Sequence, residues 1–209
     1  MNNFGHINFL PLNLKAAEVD PDKIKRFMNN RGSRVDYHWT KQINDPWNHV
    51  VVRSPNITPE NHEKPGSGWR PDFKKLFPDV VRLVEEFPYD KINYVYLLEQ
   101  IIEVDPHFDF ASKNPNIELE PATYRITLLM EDSETFYICN DAESNTRIHP
   151  QFPSDTNSWV FSNKNYMHGS ILSKKNLRKV LLAVGGDLNI KEHFALLKSS
   201  YDKYNQYTL

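Results

Sequence analysis

Residues 91–110 read KINYVYLLEQIIEVDPHFDF, and this stretch decides the fold. Before it, apolar residues recur at spacings of three and four; from Lys91 they alternate, so the period drops from 3.6 to 2 and a long strand is expected. Its end carries the only His-x-Asp triplet of the chain, His107 and Asp109. On an extended backbone, residues two apart leave the same face. An imidazole and a carboxylate placed that way suit two neighbouring ligands of one metal ion.

Downstream the period of 2 persists. TYRITLLM (123–130), ETFYIC (134–139), SWVFS (158–162) and LRKVLLAVG (177–185) read as further strands. MHGSIL and LRKVLLAV are joined by the polar SKKN (173–176), a connection of hairpin length. Upstream, DPDKIKRFMNNRG (20–32) reads as a short helix with Asp20 as cap, proline at its first position and Gly32 after its end. NHVVVRS (48–54) reads as a strand and PNITPENHEKPGSGWRPD (55–72) as loop. PDFKKLFPDVVRLVEEF (71–87) is helical, with Phe73, Leu76, Phe77, Val80, Val81 and Val84 on one buried stripe and a break before Pro78. NIKEHFALLKSSYDKYN (189–205) is an amphipathic helix capped by Asn189. Helices first and strands after point to an antiparallel sandwich or barrel with helices on one side.

The chain of 209 residues fits one domain. A net charge of −2 with 25% charged residues sets up no global basic field, which argues against nucleic-acid or anionic-membrane partners. No leader pattern and no apolar run near eighteen residues is visible, so a soluble, cytoplasmic protein is expected. Cys139 is the only cysteine, lies in an apolar run and reads as a core residue.

With 8 histidines and 14 aspartates in 209 residues, roughly half a His-x-Asp arises by chance, so the triplet needs support. His168 supplies it, 59 residues after Asp109 and at the start of another strand. Two histidines and one carboxylate leave open positions on a metal, the arrangement of iron(II) in oxygenases. Arg178, ten residues further, shares a strand face with Val180, Leu182 and Val184, and an arginine facing inward needs an anionic partner. Arg125 in TYRITLLM raises the same question. One such arginine could pair with an internal Glu or Asp; two point to an anionic small molecule.

The block from about Leu76 to Asp187 resembles the 2-oxoglutarate and iron(II)-dependent oxygenases, and among them most the aspartyl/asparaginyl β-hydroxylase-like branch, which includes proline hydroxylase-like members. The resemblance rests on FPDVVRLVEEFPYDKI leading into a strand, HFD as the metal triplet, TYRITLLM as an arginine-bearing strand, and SWVFSNKNYMHGSILSKKNLRKVLLAV as distal histidine, hairpin and final arginine strand. The chain departs from the branch in two ways: Asp105 and Pro106 make an abrupt turn before HFD, and Thr127 stands where a histidine is common, with Tyr94 or Tyr96 able to offer a hydroxyl instead. The resemblance implies a mainly β fold with flanking helices, a double-stranded β-helix (jelly roll, cupin-like). It implies one domain over 1–209, with a core at about 76–187, N-terminal helices and loops in 1–75 and a C-terminal helix in 189–206.

It further implies that His107, Asp109 and His168 hold Fe(II), and that 2-oxoglutarate places its far carboxylate on Arg178, assisted by Arg125, with Thr127 and Tyr96 as further contacts. The implied reaction hydroxylates an unactivated C–H of an amino acid or protein side chain, with succinate and CO2 as co-products. Iron and cosubstrate carry that chemistry, so no catalytic acid or base is assigned. Trp39, Trp47, Trp69 and Arg70, in aromatic-rich loops, are the candidates for substrate selection. The other histidines, His149 and His193 among them, read as loop or structurally satisfied residues. Two alternatives stay open: a jelly-roll metalloenzyme in which Arg178 serves a structural ion pair, and a cupin-like metal-binding or scaffold protein without turnover. The oligomeric state is open.

Overall fold

A computed structural model of the chain describes residues 4–31, 47–54, 68–100, 103–108, 119–131, 136–139, 146–163, 166–171 and 178–209, without the side chains of 31, 47 and 139. Along the described residues the order is β1 (Phe9–Pro11), α1 (Pro21–Arg31), β2 (Trp47–Ser54), β3 (Gly68–Trp69), α2 (Pro71–Leu76), α3 (Pro78–Glu85), β4 (Tyr89–Gln100), β5 (Val104–His107), β6 (Thr123–Met130), β7 (Phe136–Cys139), β8 (Arg147–Ile148), β9 (Ser158–Phe161), β10 (His168–Ser170), β11 (Lys179–Leu188) and α4 (Ile190–Tyr204). Every strand pair among the described residues is antiparallel. A seven-stranded sheet has the order β1-β9-β6-β11-β4-β2-β3, and a four-stranded sheet the order β5-β10-β7-β8.

The helices form for the expected local reasons. Asp20 Oδ1 accepts from the Asp22 and Lys23 amides at 2.9 and 3.3 Å, and Asn189 Oδ1 accepts from Glu192 N at 3.0 Å. The expected break falls at Phe77, where φ −132° and ψ 57° leave the helical region and Pro78 opens α3. Because α2 ends there, Leu76 leaves the apolar stripe and is exposed.

Several strands differ from expectation. Phe9–Pro11 pairs with β9, and Gly68–Trp69, inside the expected loop, pairs with β2, so the first 75 residues add three strands to the large sheet. The expected strand 91–104 is two: β4 starts at Tyr89 in the large sheet, and β5 lies in the small one. Asp105 and Pro106 make no turn but belong to β5. This edge strand pairs with β10 as His107↔His168 and Val104↔Ser170, with an irregularity between the pairs. Proline has no N–H to give a ladder, and an edge strand with a bulge tolerates that. Arg147–Ile148 is too short to show a period. The SKKN hairpin lies outside the described residues.

The large sheet is buried on both faces. On one, Val180, Leu182 and Val184 of β11 join Val95, Leu97, Tyr124 and Ile126 beneath Ile24, Val80 and Leu197 of the helices. On the other, Leu181 joins Phe9, Trp159 and Phe161 against Phe136 and Ile138 of the small sheet. Phe136 and Trp159 meet at 4.8 Å between ring centroids, closing the two sheets face to face. No helix among the described residues is long and apolar enough to cross a membrane.

His193 ties α4 to this frame and is fully buried. Its Nε2–H donates to the Leu119 carbonyl at 2.9 Å, which leaves Nδ1 to accept from the Tyr124 hydroxyl at 2.6 Å. Burial lowers its pKa to about 4. The unfolded chain therefore takes up a proton between pH 6.5 and 4 that the folded one does not, and this contribution to stability, complete above pH 6.5, is lost as pH falls to 4. His193→Gln is expected to be less stable than wild type at pH 7 but to lose less on acidification to pH 4.5, measured by urea midpoints; parallel losses would refute the assignment.

Candidate functional site

Two imidazoles meet on the small sheet. His168 of β10 and His107 of β5 are direct cross-strand partners, with ring centroids 4.4 Å apart. His168 is buried and packs edge-on against Phe161 at 4.7 Å, so the pair borders the space between the sheets. His107 Nδ1 lies 2.8 Å from the Asp105 carbonyl. A carbonyl can only accept, so Nδ1 carries the proton and Nε2, unprotonated in the neutral ring, is the nitrogen with a lone pair suited to a metal, a common way for a protein to orient such an imidazole. Donor type and fixed tautomer thus fit a transition metal. Asp109 lies outside the described residues, and among the described residues no group of three or more His, Cys, Asp or Glu comes together.

Opposite the pair, the large sheet presents residues in cross-strand rows. One row runs Trp159, Arg125, Ala183, Tyr96, Val51, and the next Thr127, Leu181, Leu98, His49. Arg125, Thr127 and Tyr96 therefore share the inner face with Leu181, while Ile126 and Leu97 turn to the helices. Trp159 Nε1 donates to Thr127 Oγ1 at 3.0 Å. The Arg125 guanidinium lies 5.4 Å over the Phe161 ring, and its Nη1 donates to the Tyr124 carbonyl at 2.9 Å. Burial rises along the inner face of β4, from Tyr94 at 40% exposure through half-buried Tyr96 and Leu98 to buried Gln100. Among the described residues this inner face is thus exposed at the Tyr94 end and closed at Gln100.

At the closed end stands Lys179, 1% exposed, which sequence reasoning missed. Its Nζ donates to Ser170 Oγ at 2.6 Å and lies 5.5 Å over the Phe136 ring. Ser170 Oγ in turn donates to Gln100 Oε1 at 2.6 Å, and Gln100 Nε2 donates to the Ser170 carbonyl at 3.2 Å. Burial lowers the Lys179 pKa to about 7. A charge interrupting LRKVLLAV was the available signal.

Arg178 is not oriented as expected. It precedes β11, and by alternation it shares the helix side with Val180 and Leu182. There its Nε and Nη2 both bond Glu99 Oε1, and Nη1 donates to Asn29 of α1 at 3.1 Å. Glu131 completes this clasp, accepting from the Arg178 amide and from Lys25 Nζ, each at 2.6 Å; the Lys25 bond and then the amide hold its carboxyl below the usual range. Trp69 is also on the helix side, stacked on Phe73 with an interplanar angle of 8°. Arg70 pairs with Asp72 at 3.3 Å. Trp39 and the side chain of Trp47 lie outside the described residues.

No family model and no curated protein matches the chain. Solved structures with partial likeness include the non-haem alpha-ketoglutarate-dependent epimerase SnoN from nogalamycin biosynthesis, 11% identical over 88% of this chain and 80% of that one, with a TM-score of 0.43. EvdMO1 is 14% identical over 87% of this chain and 47% of its own, with a TM-score of 0.46. A prolyl hydroxylase from Trichoplax adhaerens, in complex with a hypoxia-inducible-factor peptide fragment, is 10% identical over 93% and 89%, with a TM-score of 0.44. At such scores the likeness assigns neither activity nor site residues.

A buried ammonium costs stability whenever it is charged. Between pH 7 and 10.5 the unfolded chain holds a Lys179 proton that the folded chain releases, so wild-type stability gains from this group as pH rises. Lys179→Met is expected to exceed wild type in urea midpoint at pH 6, with the gap narrowing toward pH 9; a variant weaker by the same margin at both values would show that Lys179 is a structural anchor instead.

Proposed function

We propose that this chain is an Fe(II)- and 2-oxoglutarate-dependent oxygenase built on a double-stranded β-helix, hydroxylating an amino acid or a protein side chain. The observation that carries the reading is the His107–His168 pair, held as direct cross-strand partners with the rings 4.4 Å apart, in the same inter-sheet space as a buried cation. Topology supports the fold assignment. The eight consecutive strands β4 to β11 give the orders β9-β6-β11-β4 and β5-β10-β7-β8, so the chain passes repeatedly from one sheet to the other, as two nested Greek keys require.

In this reading His107, His168 and Asp109 hold the iron, Asp109 lying two residues beyond His107. The iron and the 2-oxo acid, when bound, supply the oxidative decarboxylation that releases succinate and CO2 and oxidises a C–H bond. The protein positions and encloses. Lys179 takes the far carboxylate of 2-oxoglutarate at the closed end, where Ser170 and Gln100 orient its ammonium. The role that the resemblance gives Arg178 passes to Lys179, because Arg178 would have to leave Glu99 and cross the sheet. Phe136, Trp159 and Phe161 line the same space and keep water from it.

The Arg178–Glu99 pair also favours a second reading, a metal-binding jelly roll that does not use 2-oxoglutarate. Anaerobic titration separates the two. Wild type with Fe(II) and 2-oxoglutarate is expected to develop the visible charge-transfer band of an iron–2-oxo acid chelate, and Lys179→Met to need at least ~10-fold more 2-oxoglutarate to reach it, the loss of one charge-assisted contact. Iron binding without a band supports the second reading, and failure to bind iron rejects both.

A further inference from the structure

The two strands that carry the histidines do not run in step. Between their paired positions β5 advances three residues, from Val104 to His107, where β10 advances two, from Ser170 to His168. The extra residue makes a bulge, and a bulge bends its strand and re-aims the side chain next to it. Pro106, which has no N–H to give a ladder, lies inside it. Two carbonyls of the bulged stretch are held by side chains. Asp105 O accepts from His107 Nδ1 at 2.8 Å, and Val104 O accepts from the Tyr137 hydroxyl at 3.2 Å.

Tyr137 reaches β5 from two strands away. It belongs to β7, pairs directly with Gly169 of β10, and by alternation leaves the face opposite Phe136 and Ile138, which point into the space between the sheets. Its phenol crosses β10 over Gly169, the residue between His168 and Ser170. A Cβ at that position would collide with the phenol and come within 2.6 Å of the Val104 carbonyl, so the crossing needs glycine. The Arg147 guanidinium lies 4.5 Å over the Tyr137 ring, and the His149 ring meets it edge-on at 6.1 Å. Packed in this way, Tyr137 is 1% exposed.

Resting on the oxygenase reading above, we propose that Tyr137 is a positioning residue of the metal site: its hydroxyl fixes the start of the bulge, the bulge fixes the Asp105 carbonyl, and that carbonyl orients the His107 ring. The phenol and the two imidazoles lie on opposite faces of the small sheet, so the effect reaches the metal through the backbone of β5. Partners that orient a ligand without touching the metal are worth ~10-fold or more in metal affinity.

The test is anaerobic titration of the full chain with Co(II) alone, followed by visible d–d absorption, for wild type, Tyr137→Phe, Gly169→Ala and His193→Gln. Phenylalanine keeps the ring over Gly169 and removes the hydroxyl; alanine at 169 displaces the phenol from Val104 and serves if the first variant does not fold. His193 anchors α4 on the helix side of the large sheet, so its variant lowers stability without reaching β5. Tyr137→Phe and Gly169→Ala are each expected to need at least ~10-fold more Co(II) and to show an altered d–d spectrum, while His193→Gln keeps the wild-type affinity and spectrum. If Tyr137→Phe binds Co(II) like wild type, or if His193→Gln loses as much affinity as the other two, the proposal is overturned while the oxygenase reading stands. If wild type binds neither Co(II) nor Fe(II), both fall.

Discussion

Alternation along β11 is the constraint on which the site depends. Successive side chains of a strand leave opposite faces. Once Val180, Leu182 and Val184 pack beneath the helices, Lys179, Leu181 and Ala183 must face the small sheet. A shift of one residue would exchange Lys179 for Arg178 in the interior and expose Val180 to it. The register is pinned on both sides, by β4 through nine residue pairs and by β6 through six.

The two basic neighbours at the start of β11 consequently do different work. Arg178 fastens: with Glu99, Asn29, Glu131 and Lys25 it joins β11 and β4 to α1 and to the end of β6. Such half-exposed polar contacts are each worth little, but several converging on one strand end fix its direction. Lys179 is buried beside Phe136, and burial works against its charge. A charge held in a poorly solvating site gains more from an arriving anion than a solvated one does, which is what the proposed seat for the 2-oxoglutarate carboxylate requires.

Much of the frame was legible in the sequence. The change of period at Lys91, the strands around Ile126, Val160 and Leu182, the cap at Asn189 and the break at Pro78 all follow from local physics that tertiary structure did not override. The orientation of β11 was not legible. LRKVLLAV is apolar on both faces because both are buried, and the face of Val180, Leu182 and Val184 cannot then be identified as the inner one from periodicity. The passage from β4 to β5 was hidden because alternation continues while the chain changes sheets, and Asp105-Pro106 reads as a turn unless the strand is known to be an edge. The histidine pair was read from spacing, and strand pairing brings it together; Gln100 and Ser170 join Lys179 through contacts of high sequence separation that no local pattern announces.

The most direct measurement is a crystal structure of the protein grown anaerobically with iron and a 2-oxoglutarate analogue, with anomalous data collected at the iron edge. The central claim predicts an iron peak within coordination distance of Nε2 of His107 and of the His168 ring, and the far carboxylate of the analogue on Lys179, with Arg178 still on Glu99. A carboxylate on Arg178 with Glu99 displaced, or iron anywhere but between the two histidines, would contradict it.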